Sequence, residues 1–241
     1  MMAFEVEGLT KRYGGRLAVD RLTFEVAPGT IFALVGPNGS GKTTTVECME
    51  GLRQPDAGVV RILGLDPFRD RERLYTSLGV QLQESSMHPR LRLREALWLF
   101  AAFHQRPADA AGLLRTYGLE SLAGSLYGAL SGGEKRRFLV ALAFVGRPRA
   151  VILDEPTSGL DPQARHNVWR ALERYRDQDG TVLLTTHLLD EAERHCDAVA
   201  ILDHGRLLAI GPPSRLLAEH GLDRLEDLFL RLTGSEYREA G

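Results

Sequence analysis

Gly36-Pro37-Asn38-Gly39-Ser40-Gly41-Lys42-Thr43 follows the apolar run Thr30–Val35 and opens a helix-compatible stretch, Lys42–Met49. A strand that breaks into glycines and restarts as a helix can turn its backbone N–H groups inward around an anion, helped by the positive end of the helix dipole. Gly36, Pro37, Asn38, Gly39, Ser40, Gly41, Lys42, Thr43 and Thr44 are therefore candidate phosphate contacts. Lys42 is expected to reach the β- and γ-phosphates, and the Thr43 hydroxyl to ligate Mg²⁺.

Working outward, Phe4–Leu9 and Leu22–Val26 space their apolar residues as strands, Pro28-Gly29 marks a turn, and Val59–Leu63 is a further strand ending at Gly64. From Ser85 to Arg147 the pattern changes. Leu93–Phe103, Ala108–Tyr117 and Gly132–Val145 read as helices, so residues 85–147 are expected to form an inserted helical subdomain between two parts of one core, 1–84 and 148–241. Short buried strands at Val151–Leu153 and Val182–Thr185, separated by the helical stretch Pro162–Tyr175, resume a parallel sheet. Ala198–Leu202 and Arg206–Ile210 flank a hairpin turn at Asp203-His204-Gly205, and Ser214–His220 and Leu225–Leu232 close the chain as helices.

Composition narrows the function classes. The 241 residues suffice for one large α/β unit, and 44% hydrophobic with 26% charged residues suits a globular domain. The formal charge of −2 gives no global reason to bind nucleic acid. Cys48 and Cys196 lack metal-ligand spacing and read as packed thiols of a reducing compartment. The longest apolar stretches fall far short of a membrane span, and the amino terminus lacks a secretory pattern, so a cytoplasmic chain without direct membrane insertion is expected.

Two further stretches carry chemistry. Ala150–Glu155 is an apolar strand ending in adjacent carboxylates, a costly arrangement unless a cation or polar network receives them. Alone, such an end is often a solvated terminus. Beside a phosphate loop, Asp154 would hold the Mg²⁺ shell and Glu155 would polarise the attacking water. Leu130-Ser131-Gly132-Gly133-Glu134-Lys135 starts a long helix; alone it reads as a cap, although its hydroxyl and amides also suit a second anion site.

Taken in order, these motifs resemble the ABC ATPase family along essentially the whole chain. Gly36–Thr43 resembles its Walker A loop, Leu130–Glu134 its signature (Ser131, Gly132, Gly133, Glu134), and Val151–Glu155 its Walker B strand with the glutamate. Ser158-Gly159-Leu160-Asp161 looks like the D-loop, and His187 matches the switch histidine. Tyr13 matches the aromatic that stacks on adenine, and Gln83 the glutamine that senses Mg²⁺ and the attacking water, with Gln81 as its competitor. The resemblance implies a P-loop NTPase fold, a RecA-like mixed sheet with an N-terminal antiparallel β region, and an inserted subdomain carrying the signature. It also implies ATP and Mg²⁺ as ligands and a homodimer in which the signature of one subunit faces the Walker A loop of the other. A separate transmembrane permease would hold the chain at the inner face of the cell membrane.

Within that family, Gly51–Asp56 and Leu225–Gly234 look like the ATPase subunits of daunorubicin-resistance-type drug exporters, and the tail adds no β-rich regulatory domain of the sugar-importer kind. Glu84–Glu95 should form part of the cleft for the permease, with Arg92 and Leu93 where Thr-Val is common. Two readings compete: a soluble ABC ATPase, such as one of iron–sulfur assembly, and a non-hydrolysing regulator. The presence of Glu155 and His187 disfavours the regulator.

Overall fold

The computed structural model describes residues 1–82 and 87–234. The chain runs β1 (Phe4–Tyr13), β2 (Arg16–Val26), β3 (Ile31–Val35), α1 (Lys42–Met49), β4 (Ala57–Ile62), α2 (Arg71–Leu74) and β5 (Leu78–Gln81). It continues through α3 (Leu93–Ala101), α4 (Ala110–Thr116), α5 (Gly132–Ala143), β6 (Ala150–Asp154), α6 (Pro162–Arg176), β7 (Thr181–Thr186) and α7 (Leu189–His195). An antiparallel hairpin, β8 (Ala198–Asp203) with β9 (Arg206–Gly211), precedes α8 (Pro213–His220) and α9 (Leu225–Thr233).

The expected mixed architecture is present. β2, β1 and β4 form an antiparallel sheet, and β5-β6-β7-β3-β8-β9 form a second sheet, parallel except for β9. Every residue of β3, β6 and β7 is buried, as befits central strands covered on both faces. The two-residue period sorts their side chains into two cores. Ile31, Ala33, Val35, Val151, Leu153, Val182 and Leu184 face α5, α6 and α7, whereas Phe32, Leu34, Ile152 and Leu183 face α1 and the antiparallel sheet. Phe24 stacks on Phe32 with ring centroids 5.4 Å apart, tying the two sheets together.

β1 and β2 are longer than their apolar alternation suggests. Beyond Leu9 the register slips at bulges, and the polar continuation is held by Asp56, which accepts from Lys11 Nζ at 2.8 Å and from the Arg12 amide at 2.6 Å. Arg92, at the N-terminus of α3, carries no acceptor for the free amides of the first turn. Its own amide donates instead to Glu95 at 3.0 Å. Cys48 and Cys196 are buried thiols as expected, and burial lifts both pKa values, that of Cys48 to about 11.

Candidate active site

Strand register brings the candidate residues to one edge. Asp154, at the end of β6, pairs with Thr185 of β7, and Thr186 pairs with Val35 at the end of β3. The loops that leave these strands, carrying Gly36–Gly41, Glu155 and His187, therefore emerge side by side at the carboxyl edge of a parallel sheet, where ligands of such sheets bind.

The glycine loop is built for close approach. Gly36 has φ +153°, and a Cβ there would collide with the Leu202 carbonyl of β8; at Gly41, φ +102°, it would lie 2.6 Å from the Ala18 carbonyl oxygen. Lys42 is 5% exposed, and its Nζ folds back to donate to the Gly36 and Pro37 carbonyls at 2.7 and 3.1 Å. Burial lowers its pKa, opposed by the charges of Glu155 and Asp154. The Ser40 hydroxyl is buried with no partner among the described residues.

A cavity of about 460 Å³ opens over this loop, lined by Asn38, Gly39, Lys42, Thr43, Thr44 and Glu155 on one side. Tyr13, 41% exposed, lines the other side under the cations of Arg53 and Lys11, 5.1 and 5.9 Å from its ring centroid. His204, from the β8–β9 turn, also lines it.

The two carboxylates differ sharply. Asp154 is 3% exposed and accepts a hydrogen bond from Thr185 Oγ1; burial, the largest influence, nevertheless raises its pKa. Glu155 sits in left-handed backbone, φ 50°, with its carboxylate 3.2 Å from His187 Nδ1. That hydrogen bond is the main reason its pKa is lowered. The Glu155 amide donates to Thr185 Oγ1 at 3.0 Å and to the Thr185 carbonyl at 3.2 Å, so one threonine holds both acidic residues.

A hard cation fits here. Asp154 is a buried carboxylate whose ionisation burial opposes, and with the Thr43 hydroxyl it offers the oxygen donors that Mg²⁺ takes when phosphates and water complete the shell.

Comparison with known proteins bears on the whole chain. A family profile described as ABC transporter matches residues 19–158. Over 231 residues the chain is 43% identical to a Nod factor export ATP-binding protein I of Paraburkholderia xenovorans (strain LB400), covering 93% of this chain and 76% of that protein. This chain belongs to the ABC transporter family. The cassette is also 43% identical to a protein of the same name from Burkholderia pseudomallei (strain 1710b), over 92% of this chain and 75% of that protein. A solved ATP-binding subunit of an ABC transporter superposes with a TM-score of 0.88 at 31% identity, covering 97% of this chain and all of the other. The cassette is accordingly an ATP-binding, ATP-hydrolysing subunit with the α/β fold of that family.

The cassette does not gather every predicted residue. Ser131–Glu134 cap α5 reciprocally: the Glu134 carboxylate accepts from the Ser131 amide at 2.7 Å, and Ser131 Oγ accepts from the Glu134 amide at 3.3 Å. Neither residue lines the 460 Å³ cavity. Asp161 caps α6 through the Ala164 amide at 2.9 Å. Gln83 lies outside the described residues. Gln81 is buried at 2%, and its Nε2 donates to the carbonyls of Leu82 and Asp154 at 2.8 and 3.2 Å.

Sequence reasoning missed Thr185, Gln81 in this role, and Arg136, whose Nη1 donates to the Asp154 carbonyl at 3.4 Å. It also missed Glu191, a 3%-exposed carboxylate that accepts from Thr157 Oγ1 at 2.7 Å and Trp169 Nε1 at 2.9 Å, with Arg165 Nε 3.0 Å away. Arg165 meets Glu191 as an ion pair outside hydrogen-bonding angles. The available signal for Thr185 was its apolar setting, Val182–Thr186, because a buried hydroxyl demands a partner.

Proposed function

We propose that the cassette drives export through a separate membrane permease, working as a homodimer with two ATP molecules between its subunits. The observation that carries the catalytic part is the Glu155–His187 pair standing with Lys42 at one sheet edge. Glu155, hydrogen-bonded to His187, polarises the water that attacks the γ-phosphorus while ADP departs. Lys42 leaves its carbonyl partners for the β- and γ-phosphates, and the residues of Gly36–Thr44 other than Pro37, which has no N–H, offer backbone amides. Thr43 and Asp154, with Gln83, would hold Mg²⁺, which when bound neutralises charge on the phosphate oxygens. Tyr13 stacks on the adenine.

Residues 85–147 act as the inserted subdomain, and its Ser131–Glu134, exposed at Ser131 and Gly132, meets the nucleotide bound by the other subunit. The permease contacts the space between core and subdomain. A cavity of about 780 Å³ lies there, larger than the phosphate cavity and lined by Leu52, Tyr75, Val80, Met87 and Phe100. Among the described residues no helix is long and apolar enough to cross a membrane, which is consistent with transport through a partner. The relatives' name supports export as the direction, and Gly51–Asp56 with Leu225–Gly234 support a drug- or antibiotic-type cargo.

The test is steady-state ATPase activity of the full chain against protein and ATP concentration, with Glu155→Gln beside it. Activity rising cooperatively with both concentrations, and a Glu155→Gln chain that binds Mg-ATP as a dimer but barely turns over, is the expected result. Normal hydrolysis by folded Glu155→Gln would remove the catalytic assignment.

A further inference from the structure

The peptide bond between Asp154 and Glu155 is gripped from three elements. Its N–H donates to Thr185 of β7, and its carbonyl accepts from Gln81 Nε2 of β5 at 3.2 Å and from Arg136 Nη1 of α5 at 3.4 Å. The first two grips come from neighbouring strands of the sheet and are fixed by its register. Arg136 is different, because it reaches the peptide from the helix that Ser131–Glu134 begins.

Helix α5 is anchored at its other end. A Cβ on Gly79 of β5 would collide with the Ala143 carbonyl, so the last turn of α5 rests directly on the sheet backbone. From Ala143 back to Arg136 is seven residues, about 10 Å of helix. Any swing of the α5 N-terminus about the Gly79–Ala143 contact thus alters the reach of Arg136 to the Asp154 carbonyl. The guanidinium is half-buried, and this is the one hydrogen bond it makes among the described residues, so no other such bond holds it in place. Glu155, next in the chain, is held in left-handed backbone that a glutamate rarely adopts, and such a conformation persists only where its surroundings enforce it.

We propose that Arg136 is a positioning residue that acts within its own subunit. It ties the approach of α5 to the orientation of the Asp154–Glu155 peptide, so that Glu155 is set for chemistry only while α5 lies close to β6. The proposal rests on the catalytic reading of Glu155 given above, but its structural half does not. The bond is long and charge-assisted.

Three readouts on the full chain decide it. In Arg136→Gln, kcat for ATP is expected to fall about tenfold, the order for one charge-assisted hydrogen bond, with KM changed less than about twofold. Arg136→Lys, which keeps charge and reach without the planar fork, should recover most of the rate. In nucleotide-free chain, hydrogen–deuterium exchange of the 150–160 segment should quicken about tenfold in Arg136→Gln, with the thermal midpoint of the whole chain little changed. Unaltered kcat and unaltered exchange in Arg136→Gln overturn the proposal, as does a KM effect without a kcat effect. If Arg136→Gln fails to fold, Arg136→Lys decides: wild-type exchange and a wild-type rate support the ionic grip, and a rate below about one tenth of wild type overturns it. Faster exchange in Arg136→Gln together with normal turnover by Glu155→Gln would leave the grip standing and remove the catalytic reading instead.

Discussion

His187 Nδ1 lies 3.2 Å from the Glu155 carboxylate, and the two residues reach each other from the ends of β6 and the loop after β7. This hydrogen bond is the chief reason the carboxyl titrates below its ordinary range. Replacing His187 by Ala should therefore raise the Glu155 pKa and carry the acid limb of the ATPase pH profile to higher pH. The rate at neutral pH should fall about a hundredfold, within the range for loss of a group that orients a general base. A pH–rate profile of the variant checks both.

Thr185 accepts from the Glu155 amide and donates to Asp154. Thr185→Val keeps the shape and removes both bonds, so stability should drop by about 1–3 kcal/mol. The Mg²⁺ concentration for half-maximal activity should rise several-fold, and Thr185→Ser should reverse most of both changes. Chemical denaturation and a metal titration measure them.

Glu50 closes α1 with both carboxylate oxygens buried and unpartnered, and burial, reinforced by Asp154 and Glu47, raises its pKa to about 9. A raised folded-state pKa favours the protonated form. Its contribution is fully present below the unfolded-state value near 4.5 and is lost as pH climbs toward 9. Glu50→Gln, neutral throughout, should consequently stabilise the cassette little at pH 4.5 and by roughly 3 kcal/mol at pH 7. Denaturation midpoints that shift equally at both pH values would contradict this.

At Gly36 even one methyl group would strike the Leu202 carbonyl, in backbone that side chains rarely adopt. Gly36→Ala should weaken ATP binding at least tenfold while the circular dichroism of the sheet persists, a result that fluorescent-nucleotide titration reads directly.

The local parts of this architecture were legible in the sequence because their signals are local. Helix α1 spans Lys42–Met49 as predicted, since the glycine loop fixes its start, and the β8–β9 hairpin turns where Asp203-His204-Gly205 indicated. Helix α7 was missed: its seven residues are too few to display a period, and its buried Glu191 looks like a surface charge until Thr157 and Trp169 are seen beside it. Strand β1 was read too short because Thr10, Lys11 and Arg12 break its alternation, and the residue that holds them, Asp56, lies more than forty positions away. Arg136 and Thr185 follow the same rule. Each acts on Asp154 across a gap that only sheet register and helix packing close.

The central claim is that each catalytic site is shared by two copies, and mixing two inactive variants tests it most directly. Lys42→Ala disables the phosphate loop and Ser131→Arg the signature, and each folded chain alone should be inactive. In a symmetric pair a mixed dimer concentrates both lesions in one site and leaves the other intact. Combining equal amounts should therefore restore up to about a quarter of the wild-type ATPase rate, half the pairs being mixed with one working site of two. A mixture that stays inactive although both variants fold and pair, or a Ser131→Arg chain that hydrolyses ATP at the wild-type rate, would contradict the shared site.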